Sequence, residues 1–236
     1  NSVTVTLAAT GTPDLVSSSD LGSSNTDNTT NDDTPEISLS GLTVGAVITL
    51  TATPSSGTAV VCSFTATGTT GTCPFTTLAN GTYSVAATQT FNSVTSNASV
   101  ALTGLVINKS TIATPSTPDL DVASDSGSSA TDNITSDNTP TINVSGSFSG
   151  TAVVTASKAG STSVICTISS NACTLGTLAD GVWSLTITDT DAAGNATTSA
   201  ALSVTVDASA PTPTVATVNV TTSSGATVRS SEVGTA

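Results

Sequence analysis

The chain repeats itself at a distance of 105 residues. Residues 12–41 read TPDLVSSSDLGSSNTDNTTNDDTPEISLSG, and residues 117–146 read TPDLDVASDSGSSATDNITSDNTPTINVSG in ungapped register. A second echo pairs TLANGTYSV at 77–85 with TLADGVWSL at 177–185. This period is too long for a solenoid unit and fits a whole small domain. The sequence is therefore read as a tandem array, and its function must be something that arrays do.

Within each repeat no stretch carries the helical period. Short alternating runs recur instead: SVTVTLAA at 2–9, EISLSG at 36–41, AVITLTAT at 46–53, TAVVCSFTA at 58–66, GTYSVAATQT at 81–90 and NASVALTGLVI at 97–107. The second repeat supplies TINVSGS, GTAVVTASKA, TSVICTIS, GVWSLTITDT and SAALSVTVD. Trp183, Leu185 and Ile187 alternate with Val182, Ser184 and Thr186, so one face of that strand is apolar and the other largely polar. Many short strands with regularly spaced turn residues predict an all-β sandwich.

Proline marks the joints, in TIATPSTPDL at 111–120 and VDASAPTPTV at 206–215. Its fixed backbone makes a semi-rigid linker. The expected domains are residues 12–115 and 116–208. Residues 1–11 are expected to be the final strand of a preceding domain, or a strand donated to a neighbouring subunit. Residues 209–236 are expected to begin a third, incomplete domain.

The formal net charge is −13, from 16 acids and 3 bases. A chain so poor in Lys and Arg cannot displace the counterions of nucleic acid. No apolar run is long enough to cross a bilayer. The acids are not spread evenly. Of 14 Asp, five lie in residues 14–33 and five in residues 119–137. Carboxylates grouped in Ser/Gly-rich loops are what calcium, a hard cation, takes as ligands.

The calcium candidates in the first repeat are Asp14, Asp20, Asp27 and Asp32. In the second they are Asp119, Asp121, Asp125, Asp132 and Asp137. A further set, Asp189, Asp191, Asn195 and Asp207, is expected to converge on a cation held between adjacent domains. The first repeat has TQTFNSVTSN at the position of DTDAAGN, so any such site should be weaker or absent there. The plain alternative is an Asx-turn-rich surface with no metal.

The four cysteines fall in two close pairs, Cys62/Cys73 and Cys166/Cys173, just upstream of the TLA(N/D)G turns. The segments between them look like hairpin tips, so a disulfide across each hairpin is expected. Free thiols or metal ligands are the alternatives, but there is no His and no C-x-x-C spacing for zinc. Disulfides imply an oxidising compartment. The lack of His also removes Ser-His and Cys-His catalysis. The carboxylates sit in loops without a defined pocket, so the chain is not read as an enzyme.

TPDLDVASDSGSSATDNITSDNTPTI, LADGVWSLTITDTDAAGNAT and VDASAP together resemble the bacterial Ig-like repeats of very large surface adhesins, over most of residues 117–211 and more weakly over 12–107. The resemblance implies tandem Ig-like β-sandwiches that act as stalk modules of a cell-surface or extracellular fibre. It also implies calcium at loops and joints, with Asp119, Asp121, Asp125, Asp132, Asp189, Asp191 and Asp207 as the ligands carried over. The implied partners are neighbouring Ig-like domains of the same array or adjacent subunits. The paired cysteines and the acids missing from the first repeat depart from that pattern. They keep open a surface-layer or filament subunit that polymerises by strand complementation.

Overall fold

The structure, a computed structural model, describes residues 6–211. Among them every regular element is a strand. The first half runs β1 (Asp14–Leu15), β2 (Thr29–Thr30), β3 (Glu36–Ser40), β4 (Val47–Pro54), β5 (Val60–Thr65), β6 (Thr70–Pro74), β7 (Gly81–Phe91), β8 (Val94–Thr95) and β9 (Leu102–Ile107). The second half runs β10 (Asp119–Leu120), β11 (Ile134–Thr135), β12 (Thr141–Asn143), β13 (Thr151–Ser157), β14 (Val164–Thr167), β15 (Ala172–Thr174), β16 (Gly181–Thr190), β17 (Ala196–Thr198) and β18 (Leu202–Val206).

Each half is a sandwich of two sheets built to one plan. In the first, β1-β3-β6 faces β2-β9-β7-β4-β5, with β8 folded back on β7. In the second, β10-β12-β15 faces β11-β18-β16-β13-β14, with β17 folded back on β16. Pairing is antiparallel except where β2 lies parallel to β9 and β11 parallel to β18. Those two-residue strands emerge from the Asp-rich loops, so both loops are anchored to the last strand of their own sandwich.

The alternation read in the sequence sets the core. On β7 the inward positions are Tyr83, Val85, Ala87 and Gln89; on β16 they are Trp183, Leu185, Ile187 and Asp189, all buried. Ile37, Ile48, Leu50 and Leu105 close the first core, and Ile142, Val154 and Val204 the second. Each large aliphatic side chain withdrawn from water in this way contributes about 1.5–3 kcal/mol. The two aromatics keep their polar ends satisfied at the same place. The Tyr83 hydroxyl donates to the Ala79 carbonyl at 2.9 Å and the Trp183 indole N–H to the Ala179 carbonyl at 2.8 Å.

Two of the expected strands change. NASVALTGLVI is a strand only from Leu102, because Ser96 and Ser99 pair with β7 through their hydroxyls as well as their backbones. The Gln89 and Ala87 N–H groups donate to Ser96 Oγ at 3.1 Å and Ser99 Oγ at 3.0 Å, which breaks the regular ladder. Gly104, at φ 79°, adds a bulge opposite the step from Tyr83 to Ser84. Residues 6–9 of the expected strand at 2–9 lie in no strand, and the Ala8 carbonyl instead accepts the Gln89 amide at 2.8 Å. The rest of that expected strand, residues 1–5, lies outside the described residues, as does most of the expected third domain, residues 212–236.

The cysteines pair as expected, Cys62 with Cys73 and Cys166 with Cys173. The bridges do not cross hairpins. Cys62 is on β5 and Cys73 on β6, edge strands of opposite sheets, and the same holds for Cys166 on β14 and Cys173 on β15. Each disulfide therefore staples the two sheets together along the open side of its sandwich.

Candidate functional site

The carboxylates of the repeated loops mostly organise their own backbone. Asp27 Oδ1 accepts the Thr29 N–H at 3.0 Å, and Asp132 Oδ1 accepts the Ile134 N–H at 3.1 Å. Asp32 and Asp137 accept the N–H groups of Thr34 and Thr139, each at 2.9 Å. These are Asx turns, the arrangement that short carboxylates favour in Ser/Gly-rich loops. Asp121 holds the Ala123 N–H at 2.9 Å and the Asn143 amide at 2.7 Å, and these bonds set its carboxyl below its ordinary value. Burial pushes Asp137 up, but hydrogen bonds from Thr139 and Ser124 outweigh it and leave the group lowered. Asp14 and Asp119 are exposed on β1 and β10.

Asp20 and Asp125 differ from the rest. They are 4% and 5% exposed. One oxygen of each accepts a backbone N–H, from Asn28 and Asn133, both at 3.2 Å. Those asparagines sit at φ 60° and 59°, in the left-handed region that Asn tolerates. The other oxygen, Oδ1, is buried without a partner in both loops. Burial raises the carboxyl of Asp20, and the charges of Asp27 and Asp14 add to it against the Asn28 bond. Asp20 lines a cavity of about 490 Å³ whose other polar walls include Asp14, Asn25, Asn28 and Ser38.

The second expected set does not converge. Asp207 follows β18 beside the start of β16, while Asp189 and Asp191 lie at the other end of β16. The strand between them is ten residues long, about 30 Å at the rise of a β-strand. Both oxygens of buried Asp189 are used, by the N–H groups of Ser149 at 2.7 Å and Gly150 at 3.2 Å. Asp191 Oδ1 accepts the N–H groups of Ala193 and Asn195 at 3.0 and 2.9 Å, and its Oδ2 accepts the Asn195 amide at 2.9 Å. Among the described residues no three acidic or cysteine side chains gather closely enough to share an ion. The joint set therefore does not fit a calcium ion. In the loops, one carboxylate oxygen per repeat stays buried without a hydrogen-bond partner.

What the Asp191 turn does instead is meet the first sandwich. Its Ala192 and Ala193 carbonyls accept the N–H groups of Ser23 at 3.4 Å and Asn31 at 2.8 Å. The Asn195 amide crosses to the Asn108 carbonyl at 2.8 Å. Gly22, at φ 124°, makes the close approach possible: a Cβ there would overlap the Ala192 carbonyl. Sequence reasoning missed Gly22, Asn31 and Asn108 as contact residues because all three contribute only backbone. It also missed Gln89. The only signal for Gln89 was its place on the inward face of a strand, opposite Asp189 in the repeat.

Two stacked, mainly antiparallel sheets, repeated in tandem with a direct joint, define a pair of Ig-like sandwich domains. The bacterial Ig-like domain family model matches residues 6–107 and 111–208, and the chain belongs to that family. Among solved structures it is similar to the FN1–FN3 domains of chicken CNTN1, with 10% identity, a TM-score of 0.54, and coverage of 84% of this chain and 68% of that one. It is also similar to a tetra-tandem repeat from the extending region of a large adhesion protein, at 20% identity and a TM-score of 0.28, over 84% of this chain and 50% of that one. A third is the BSP domain of a biofilm associated protein, at 20% identity and a TM-score of 0.29, over 86% and 30%. No curated protein matches the chain.

Proposed function

We propose that this chain is a spacer segment of a bacterial cell-surface adhesin or extracellular fibre, and that its work is mechanical. The observation that carries this reading is the joint. Three hydrogen bonds and a glycine contact tie the second domain to the first in one orientation. A ligand-binding module has no need of such a tie, whereas a stalk that must hold its tip away from a surface does. Inter-sheet disulfides in both domains support an extracellular setting. Calcium has a narrower place in this proposal than the clustering of acids suggests. It would touch the unpartnered oxygens of Asp20 and Asp125 and neutralise a buried carboxylate in each loop.

Residual dipolar couplings of the full chain test the mechanical reading. The two domains should share one alignment tensor. Independent tumbling would sink it. Calcium titration of the wild type and of Asp20→Asn/Asp125→Asn tests the metal separately: heat of binding should appear in the first and vanish in the second.

A further inference from the structure

The Asp191–Asn195 turn and the surface it enters form a plug and a socket. The socket of the first domain presents the N–H groups of Ser23 and Asn31, the Asn108 carbonyl and the bare backbone of Gly22. Local devices hold it in shape. Asp20 takes the Asn28 N–H at 3.2 Å, the Thr30 hydroxyl donates to the Ser19 carbonyl at 2.6 Å, and the Asn108 N–H donates to the Thr30 carbonyl at 2.9 Å.

Every one of these devices recurs in the second domain. Asp125 takes the Asn133 N–H at 3.2 Å, the Thr135 hydroxyl donates to the Ser124 carbonyl, and the Asp207 N–H donates to the Thr135 carbonyl at 2.8 Å. Gly127, at φ 132°, stands where Gly22 stands. Ser128, Ser136 and the Asp207 carbonyl are thus the counterparts of Ser23, Asn31 and the Asn108 carbonyl.

Among the described residues nothing sits in this second socket. A Cβ on Gly127 would meet no atom nearer than the Ile134 carbonyl at 3.8 Å. The Ser136 N–H turns back to the Ser126 hydroxyl at 2.9 Å. The first domain has Leu21 at that position, and there the equivalent Asn31 N–H goes across the joint to Ala193. Ser126 therefore stands in for an incoming carbonyl.

We propose that the Gly127–Ser136 surface of the second domain, with the Asp207 carbonyl, is the docking site for a following Ig-like domain that carries an Asp-x-Ala-Gly-Asn turn after its longest strand. The inference rests on reading the chain as an array segment and adds a sequence rule for its neighbour. It also gives the array a polarity. The first domain has no such plug: its turn is the two-residue Asn92–Ser93 hairpin, at φ 49° and 63°, with Phe91 in place of Asp191. This contact therefore joins domains on the C-terminal side of each socket, and a domain built like the first cannot be the one that plugs.

The test lengthens the chain by one domain, with a second copy of residues 109–208 following Asp207, and measures residual dipolar couplings. The appended copy should share an alignment tensor with the second domain. Asn195→Ala placed in the copy, or Gly127→Val in the second domain, should separate the two while the buried emission of Trp183 shows that the domains remain folded. A separate tensor for the copy in the unsubstituted chain, with the first two domains still sharing one, would overturn the docking site and leave the array reading intact. Separate tensors for all three would overturn both.

Discussion

Gln89 and Asp189 occupy the same inward position on the longest strand of their domains, and each holds a different neighbour. Asp189 takes the N–H groups of Ser149 and Gly150. Gln89 takes the Thr43 N–H at 2.8 Å with its oxygen and donates its amide to the Ala8 carbonyl at 2.8 Å. Only an amide can do both, because a carboxylate has no proton to give. Gln89 therefore fastens the incoming chain segment to the first domain.

Asp189→Ala is expected to destabilise the second domain by about 3 kcal/mol, because it strands two N–H groups next to the core. Gln89→Leu keeps most of the volume but removes the acceptor of the Thr43 N–H, and should cost the first domain about 1–3 kcal/mol. Denaturant unfolding followed by the single tryptophan reads the second domain, and amide hydrogen exchange reads the first. Loss in the wrong domain would contradict the assignment.

The acids of the two loops should respond to pH with opposite sign. Asp20 is raised by burial, so its contribution favours the fold at low pH and is lost as pH rises through its folded value. Asp121 and Asp137 are lowered by hydrogen bonds. Their stabilisation is present above the unfolded value of 3.8 and lost as pH falls through their folded values. Asp20→Asn should therefore raise the melting temperature of the first domain at neutral pH and lose that advantage in acid. Asp121→Asn with Asp137→Asn should lower the second domain at neutral pH and flatten its acid limb. Thermal melts from pH 3 to pH 7, about the span over which carboxylates titrate, decide both.

Much of this architecture was legible in the sequence because it depends on period and repetition. The apolar alternation of β7 and β16 named the core, and the ungapped repeat named two domains. The staple geometry of the cysteines was not legible: proximity in sequence looks the same for two strands of one hairpin and for edge strands of two sheets. Nor was the fate of the carboxylates. A sequence shows Asp191 and Asn195 as oxygens near a glycine, but not that backbone N–H groups already occupy them. The joint was hidden for a related reason, since Asn31 and Asn108 act through peptide groups that every residue possesses.

The inter-sheet staples should matter comparably in both domains. Their sequence separations are 11 and 7 residues, and the chain-entropy model gives about 2–3 kcal/mol for closing loops of this size. Cys166→Ser/Cys173→Ser should lower the second domain by that amount in tryptophan-detected unfolding and leave the first unchanged. A loss below about 1 kcal/mol would mean that packing alone holds the sheets together on that side.

Asn195 carries its side chain across the joint to the Asn108 carbonyl, and its removal should loosen the joint without unfolding either domain. Asn195→Ala deletes the bond to the Asn108 carbonyl, a net loss of about 1 kcal/mol, or roughly a fivefold fall in the docked-to-free ratio. It also frees one oxygen of Asp191, which stays tied through the N–H groups of Ala193 and Asn195. Asn195→Gln should behave like the alanine variant, because one more methylene carries the amide past the carbonyl. Gly22→Val should act more strongly, through overlap with Ala192. Small-angle scattering and residual dipolar couplings should then report a wider spread of interdomain angles at unchanged melting temperature of the second domain. A joint that keeps its alignment in both the Asn195→Ala and Gly22→Val variants would show that the linker, rather than the plug, sets the geometry.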